Sequence, residues 1–164
     1  MSIKNSVNIS FSVNGEIFDN VTGSTRQHLA DYLRSQGLTG THLGCEQGAC
    51  GACTIEMDGK AVRSCLVLAS QANGSSITTV EGFDDDVMEK VKNNFLKHNA
   101  FQCGFCSPGM LMTTKEIISS KKKLSREEIR SEISGNYCRC TGYQSIVDGI
   151  EESINEMNEG VENG

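Results

Sequence analysis

Eight cysteines stand in two groups of four, and their spacing is the most chemically specific feature of the chain. Cys45, Cys50 and Cys53 are separated by four and then two residues, and Cys65 follows after eleven more. Thiolates are strong ligands for iron, and this C-x4-C-x2-C…C pattern is the ligation spacing of plant-type 2Fe-2S clusters. The intervening Gly44, Gly48, Ala49, Gly51 and Ala52 suit that use. Small residues let backbone N–H groups approach the sulfurs, and glycine adopts the left-handed turns such a loop needs. The second group is Cys103-Gly104-Phe105-Cys106 and, thirty-one residues on, Cys138-Arg139-Cys140. Each pair precedes a predicted helix, whose N-terminal dipole would favour the thiolate form. By ligand count alone this group serves a 2Fe-2S or a 4Fe-4S cluster. Structural zinc on the two C-x2-C pairs would leave four other cysteines idle, and a disulfide framework belongs to secreted chains. Two iron–sulfur clusters therefore fit best.

The elements that must carry these loops are legible from hydrophobic periodicity. Residues 7–13 alternate apolar and polar, Asn14-Gly15 is a hairpin turn and Glu16-Ile17-Phe18 returns as a second strand. Ser24 or Thr25 is expected to cap a helix through Gln36, with Leu29, Tyr32 and Leu33 inward and Gly37 as its stop. Beyond the cysteine loop, residues 54–57 and 60–62 flank an Asp58-Gly59 turn, and residues 76–80 form a closing strand. The order β-β-α-loop-β-β-β predicts a mixed sheet gripping one helix. After Glu81-Gly82 the period becomes helical. Asp84-Asp85-Asp86 leads into a helix with Val87, Val91 and Phe95 inward, widened by Met88 and Leu96. Ser107-Pro108 is expected to cap and start a second helix. Ser125-Arg126-Glu127-Glu128 is a capping box for a third, and Thr141 caps a fourth bearing Ile146, Val147, Ile150 and Ile154. Residues 155–164 are expected to fray. The expectation is an α+β chain: a sheet domain over residues 1–80 and an all-α four-helix bundle over residues 81–164.

Composition narrows the function. With 164 residues, 37% hydrophobic and no Trp, two halves of this size have thin cores and call for a metal staple. A formal charge of -6 argues against nucleic acid as partner. The one basic run, Lys121-Lys122-Lys123, reads as a solvated loop. No apolar run approaches membrane-spanning length, and residues 1–5 do not resemble a signal peptide, so a soluble, cytoplasmic protein is expected. No G-x-G-x-x-G or P-loop offers a nucleotide site, and no hydrolase constellation is present. His28, His42 and His98 read as structural or surface residues because eight cysteines already saturate two clusters, with His42 placed to tune the first electrostatically. Arg139 reads as a surface or interface cation.

Four motifs together carry a family resemblance: Gly44-Cys45-Glu46-Gln47-Gly48-Ala49-Cys50-Gly51-Ala52-Cys53-Thr54, Ser64-Cys65-Leu66, Gln102-Cys103-Gly104-Phe105-Cys106-Ser107-Pro108-Gly109 and Gly135-Asn136-Tyr137-Cys138-Arg139-Cys140-Thr141-Gly142-Tyr143. Over about residues 5–155 the chain resembles the small iron–sulfur subunit of the molybdenum hydroxylases, the xanthine dehydrogenase family that includes carbon monoxide dehydrogenase. Ser107 stands where that family often has Thr. The resemblance implies a ferredoxin-like β-grasp domain with one 2Fe-2S cluster on Cys45, Cys50, Cys53 and Cys65. It implies a helical domain with a second 2Fe-2S cluster on Cys103, Cys106, Cys138 and Cys140. It further implies a large molybdopterin-binding subunit touched by Gln102 and Cys140, a medium FAD-binding subunit, and a hetero-oligomer in which this chain transfers electrons. The alternative is an independent two-cluster ferredoxin.

Overall fold

A computed structural model describes residues 5–120 and 122–162. Five strands and five helices follow in the order β1 (Ser6–Val13), β2 (Glu16–Ser24), α1 (Leu29–Ser35), β3 (Thr54–Met57), β4 (Lys60–Arg63), β5 (Ser76–Thr78), α2 (Asp86–Lys97), α3 (Ser107–Ser119), α4 (Arg126–Glu132) and α5 (Gln144–Glu162). The sheet order is β2-β1-β5-β3-β4. Its one parallel pairing joins β1 to β5, with Val13 opposite Ile77. Both expected hairpins form. Asn14-Gly15 and Asp58-Gly59 have positive φ at both turn residues, the twist that matches antiparallel strands.

The inward positions of the sheet close over α1. Ile9, Phe11, Val13, Ile55 and Ile77 pack on Leu29, Tyr32 and Leu33 in one apolar cluster, and Tyr32 meets Phe11 edge-on at 5.5 Å. Helix α1 begins later than expected from Ser24 or Thr25. The ladder with β1 carries β2 to Ser24, which pairs with Ser6. The helix start at Leu29 is satisfied by its N–H donating to Val67 C=O rather than by a side-chain cap. The stop at Gly37 is as expected: its φ is +90°, and Leu38 N–H donates back to Leu33 C=O, a Schellman-type ending.

Helices α2 to α5 share a second apolar cluster built from Met88, Val91, Phe95, Met110, Ile117, Ile129, Ile146, Val147 and Ile150 among others. On α2 the inward stripe is Met88, Val91 and Phe95, while Val87 and Leu96 are exposed. The expected stripe was thus one register too broad on its outer side. Asp85 caps α2 by accepting from Met88 N–H. The Ser125–Glu128 capping box on α4 forms with both arms present. Ser107 is not the cap of α3: it is the first helical residue, and Cys106 precedes it without a side-chain cap bond. Of residues 155–164, expected to fray, 155–162 instead continue α5 beyond the buried Ile154, and 163–164 lie outside the described residues. Lys122 and Lys123 are exposed outside the helices, and Lys121 lies outside the described residues. No described helix is long and apolar enough to cross a membrane.

Candidate iron–sulfur sites

The first thiol group is assembled by the loop between α1 and β3 and by a short 3-10 turn, residues 64–66, after β4. Glu46, Gly48 and Gly51 have φ of 54°, 80° and 76°, which folds the loop back so that its N–H groups face inward. Cys50 N–H donates to Cys45 Sγ at 3.3 Å. Backbone N–H groups, Gln47 foremost, hold the Cys45 thiol down to about 7. Cys53 and Cys65 are buried at 2% and 1% exposure, and burial together with the neighbouring Cys53 pushes Cys65 up to about 11. Ser64 ties these two cysteines together, both its hydroxyl and its N–H donating to Cys53 C=O. Gly48 has a spatial reason as well as a φ: a Cβ there would lie 2.5 Å from Leu66 Cδ1.

The second group sits before two helix starts, Cys103 and Cys106 ahead of α3 and Cys138 and Cys140 ahead of α5. All four thiols line one cavity of about 520 Å³, together with Phe105, Tyr137 and Tyr143. Two of the four thiols are lowered, as expected of thiolates at helix starts, but local hydrogen bonds are the cause. Cys103 is lowered chiefly by the Phe105 N–H. Cys138 is opposed first by burial but ends lowered through the Thr141 hydroxyl and N–H, with Thr141 Oγ1 donating to its Sγ at 3.2 Å. Burial pushes Cys106 up to about 12, and the Cys103 thiol raises Cys140. Side-chain hydrogen bonds link Cys103 with Cys140 and Cys106 with Cys138, and charge interactions also link Cys103 with both Cys106 and Cys138. In the first group Cys65 interacts with both Cys53 and Cys45, and Cys45 with Cys50.

Four thiols gathered on neighbouring loops, with N–H or hydroxyl donors aimed at sulfur, are the donor set that a two-iron cluster needs. The residues present therefore fit such a group at both places.

The two groups are joined by a seam that sequence reading did not find. Tyr137 N–H donates to Cys50 C=O at 2.8 Å. Arg63 donates through Nη2 to Gly135 C=O at 2.9 Å and to Asn136 Oδ1 at 3.3 Å, and through Nη1 to Thr54 Oγ1. Thr113 Oγ1 donates to the same Asn136 Oδ1 at 3.0 Å. His42 crosses the seam too. Its Nδ1 lies 2.8 Å from Phe105 C=O and its ring stacks on Phe105 with centroids 4.9 Å apart. Its place is thus structural, between the loops of the two groups. Gln102, Arg139 and Cys140 are exposed. Asn136 and Tyr137 lay within a recognised motif, but nothing local marked Arg63.

Comparison with known proteins agrees with this geometry. Residues 12–94 match the family described as 2Fe-2S iron-sulfur cluster binding domain, and residues 79–151 match the 2Fe-2S binding domain family. The chain is 47% identical over 152 residues to the nicotine 6-hydroxylase small subunit of Paenarthrobacter nicotinovorans, covering 92% of each. It is 49% identical over 148 residues to caffeine dehydrogenase subunit gamma of Pseudomonas sp. (strain CBB1), covering 87% of this chain and 88% of that one. The chain belongs to the small iron–sulfur subunits of the molybdenum hydroxylase, or xanthine dehydrogenase, family. Among solved structures, quinoline 2-oxidoreductase from Pseudomonas putida 86 superposes with a TM-score of 0.86 at 45% identity, over 96% of this chain and 99% of that one. Aldehyde oxidoreductase from Desulfovibrio gigas gives 0.82 at 37% identity over 94% of this chain and 17% of that longer one. As a member of this family the chain is an electron-transfer subunit of an oxidoreductase and carries two 2Fe-2S clusters.

Proposed function

We propose that this chain passes electrons singly from a molybdopterin centre on a larger subunit to FAD, or another acceptor, on a further subunit of a cytoplasmic hetero-oligomer. Cys45, Cys50, Cys53 and Cys65 hold one 2Fe-2S cluster in a β-grasp domain over residues 1–80. Cys103, Cys106, Cys138 and Cys140 hold the other in a four-helix domain over residues 81–164. Each bound cluster supplies a one-electron redox centre. The exposure of Gln102 and Cys140 supports the reading that the helical site is the entrance and that these two residues touch the pterin.

The observation that carries this proposal is the hydrogen bond from Tyr137 N–H to Cys50 C=O. It links a residue adjacent to Cys138 directly to a cysteine of the other group, so that a bonded path runs between the two sites. The chain's own residues do the rest. Buried Cys53 and Cys65 keep water from one side of the first site. Tyr143 Oη accepts from Cys138 N–H at 2.9 Å and fixes the second loop on α5.

The test is metal content and EPR spectroscopy of the complex isolated from its native source. About four irons and four sulfides per chain, two distinguishable reduced signals and a co-purifying molybdenum-containing chain are expected. Cys50→Ala should abolish one signal and Cys140→Ala should damage the other. A lone chain without molybdenum, or either variant keeping both signals, would defeat the assignment.

A further inference from the structure

Arg63 occupies a singular place. It lies two residues before Cys65, its Nη1 donates to Thr54 beside Cys53, and its Nη2 donates to Gly135 and Asn136, just ahead of Cys138. The guanidinium is half-buried, and among the described residues no carboxylate pairs with it. All its acceptors are neutral: a hydroxyl, a backbone carbonyl and an amide oxygen. The fold makes room for it, because a Cβ on Gly135 would stand 2.7 Å from Nη2. Gly135 has no positive φ to explain it. A half-buried cation without a counter-ion is costly unless an anion lies near.

Two ferric ions, two sulfides and four thiolates leave an oxidised cluster with a charge of about -2, and uptake of one electron makes it about -3 with no bond made or broken. We propose that Arg63 is the shared counter-ion of the two clusters: it clasps the Cys53–Cys65 side of the first site to the turn entering the second, and its charge raises the reduction potential of both. The proposal rests on the cluster assignment above. Arg63 is a positioning residue that acts through the cysteines it flanks. Its fork geometry binds three acceptors at once, which a lysine ammonium on a flexible stem does less well.

The test is an EPR-monitored redox titration of the holo-complex in the wild type and in R63Q, R63K and N136D. R63Q keeps an amide donor in the seam but removes the charge. It should shift the one-electron equilibrium of both clusters toward the oxidised form by about tenfold, equal to about 59 mV for each couple. R63K keeps the charge and should hold both potentials nearer the wild type than R63Q does. N136D sets a carboxylate against the guanidinium with almost no change of shape and should lower both potentials, which keeps the test open should R63Q load its clusters poorly. Unchanged potentials in cluster-loaded R63Q, or a shift confined to one cluster, would overturn the shared role. So would unchanged potentials in N136D. A wild-type chain lacking two reduced EPR signals would instead defeat the cluster assignment itself. The two failures are therefore distinct.

Discussion

Two glycines near the cysteines have similar φ but different surroundings, and the contrast separates conformational strain from steric contact. Gly104 has φ +81° and open space where a Cβ would go, whereas Gly51 has φ +76° and would place its Cβ 2.5 Å from Gly135 C=O and 2.9 Å from Asn136 Cα. Gly104→Ala should cost about 1 kcal/mol, the penalty of a left-handed residue alone. Gly51→Ala carries that penalty and must also push apart two backbone segments, so about 3 kcal/mol or more is expected. Thermal unfolding of the two variants checks the difference. Equal losses would mean that the loop is free to move away from Gly135. Gly51 C=O explains why it is not free: it accepts from Thr54 N–H at 3.2 Å and from Thr54 Oγ1 at 2.6 Å, which fixes the carbonyl on the side where Asn136 and α3 approach.

Among the helices, α2 and α5 are fastened at their surface by Glu152, which receives Lys97 Nζ and lies 2.5 Å from His98 Nε2. Lys97 first, then His98, hold the Glu152 carboxyl below its ordinary value of 4.5. Folding therefore favours the ionised form. The contribution is present above pH 4.5 and is lost as pH falls through the lowered value. Glu152→Gln should lower Tm near pH 7 and lose that difference progressively as the pH falls below 4.5 and the wild-type carboxyl takes up its proton. A deficit that stays constant between pH 7 and 3 would assign the effect to packing. Element boundaries show where sequence reading stops. The Asn14-Gly15 and Asp58-Gly59 hairpins were legible because a type I′ turn is chosen by its own two residues. The start of α1 was not, because β2 is prolonged by its ladder with Ser6 and Val7, a tertiary effect that Ser24 and Thr25 do not encode locally. The thiol groups were legible from spacing within short loops. Arg63 was not, since its acceptors at Gly135 and Asn136 lie 72 and 73 residues away.

At the scale of the whole molecule two apolar cores meet across a polar seam, and the seam rather than apolar area ties them. Asn136 is 2% exposed and Thr113 7%, so their hydrogen bond at 3.0 Å is one that water cannot replace without opening the interface. Lys115 adds an ion pair to Glu56 at 3.0 Å, and Glu116 accepts from Ala61 N–H at 3.1 Å, so one helix, α3, grips both β3 and β4. The helix comes this close because its third residue is glycine. A Cβ on Gly109 would stand 2.0 Å from Gly51 C=O and 3.1 Å from Ala52 Cα, and both are backbone atoms that cannot rotate away. Gly109 lies within α3, where alanine is the better helix former by about 1 kcal/mol, so a local argument predicts that Gly109→Ala stabilises. The seam argument predicts the opposite. With α3 displaced, Thr113, Lys115 and Glu116 lose their partners together, and the two cores should unfold in separate calorimetric transitions, whereas a single transition is expected of the wild type. The same variant should weaken magnetic interaction between the two reduced clusters, because the Tyr137–Cys50 hydrogen bond lies in the same seam. A single transition at or above the wild-type Tm would mean that helix propensity outweighs the contact and that the seam is not what couples the two halves.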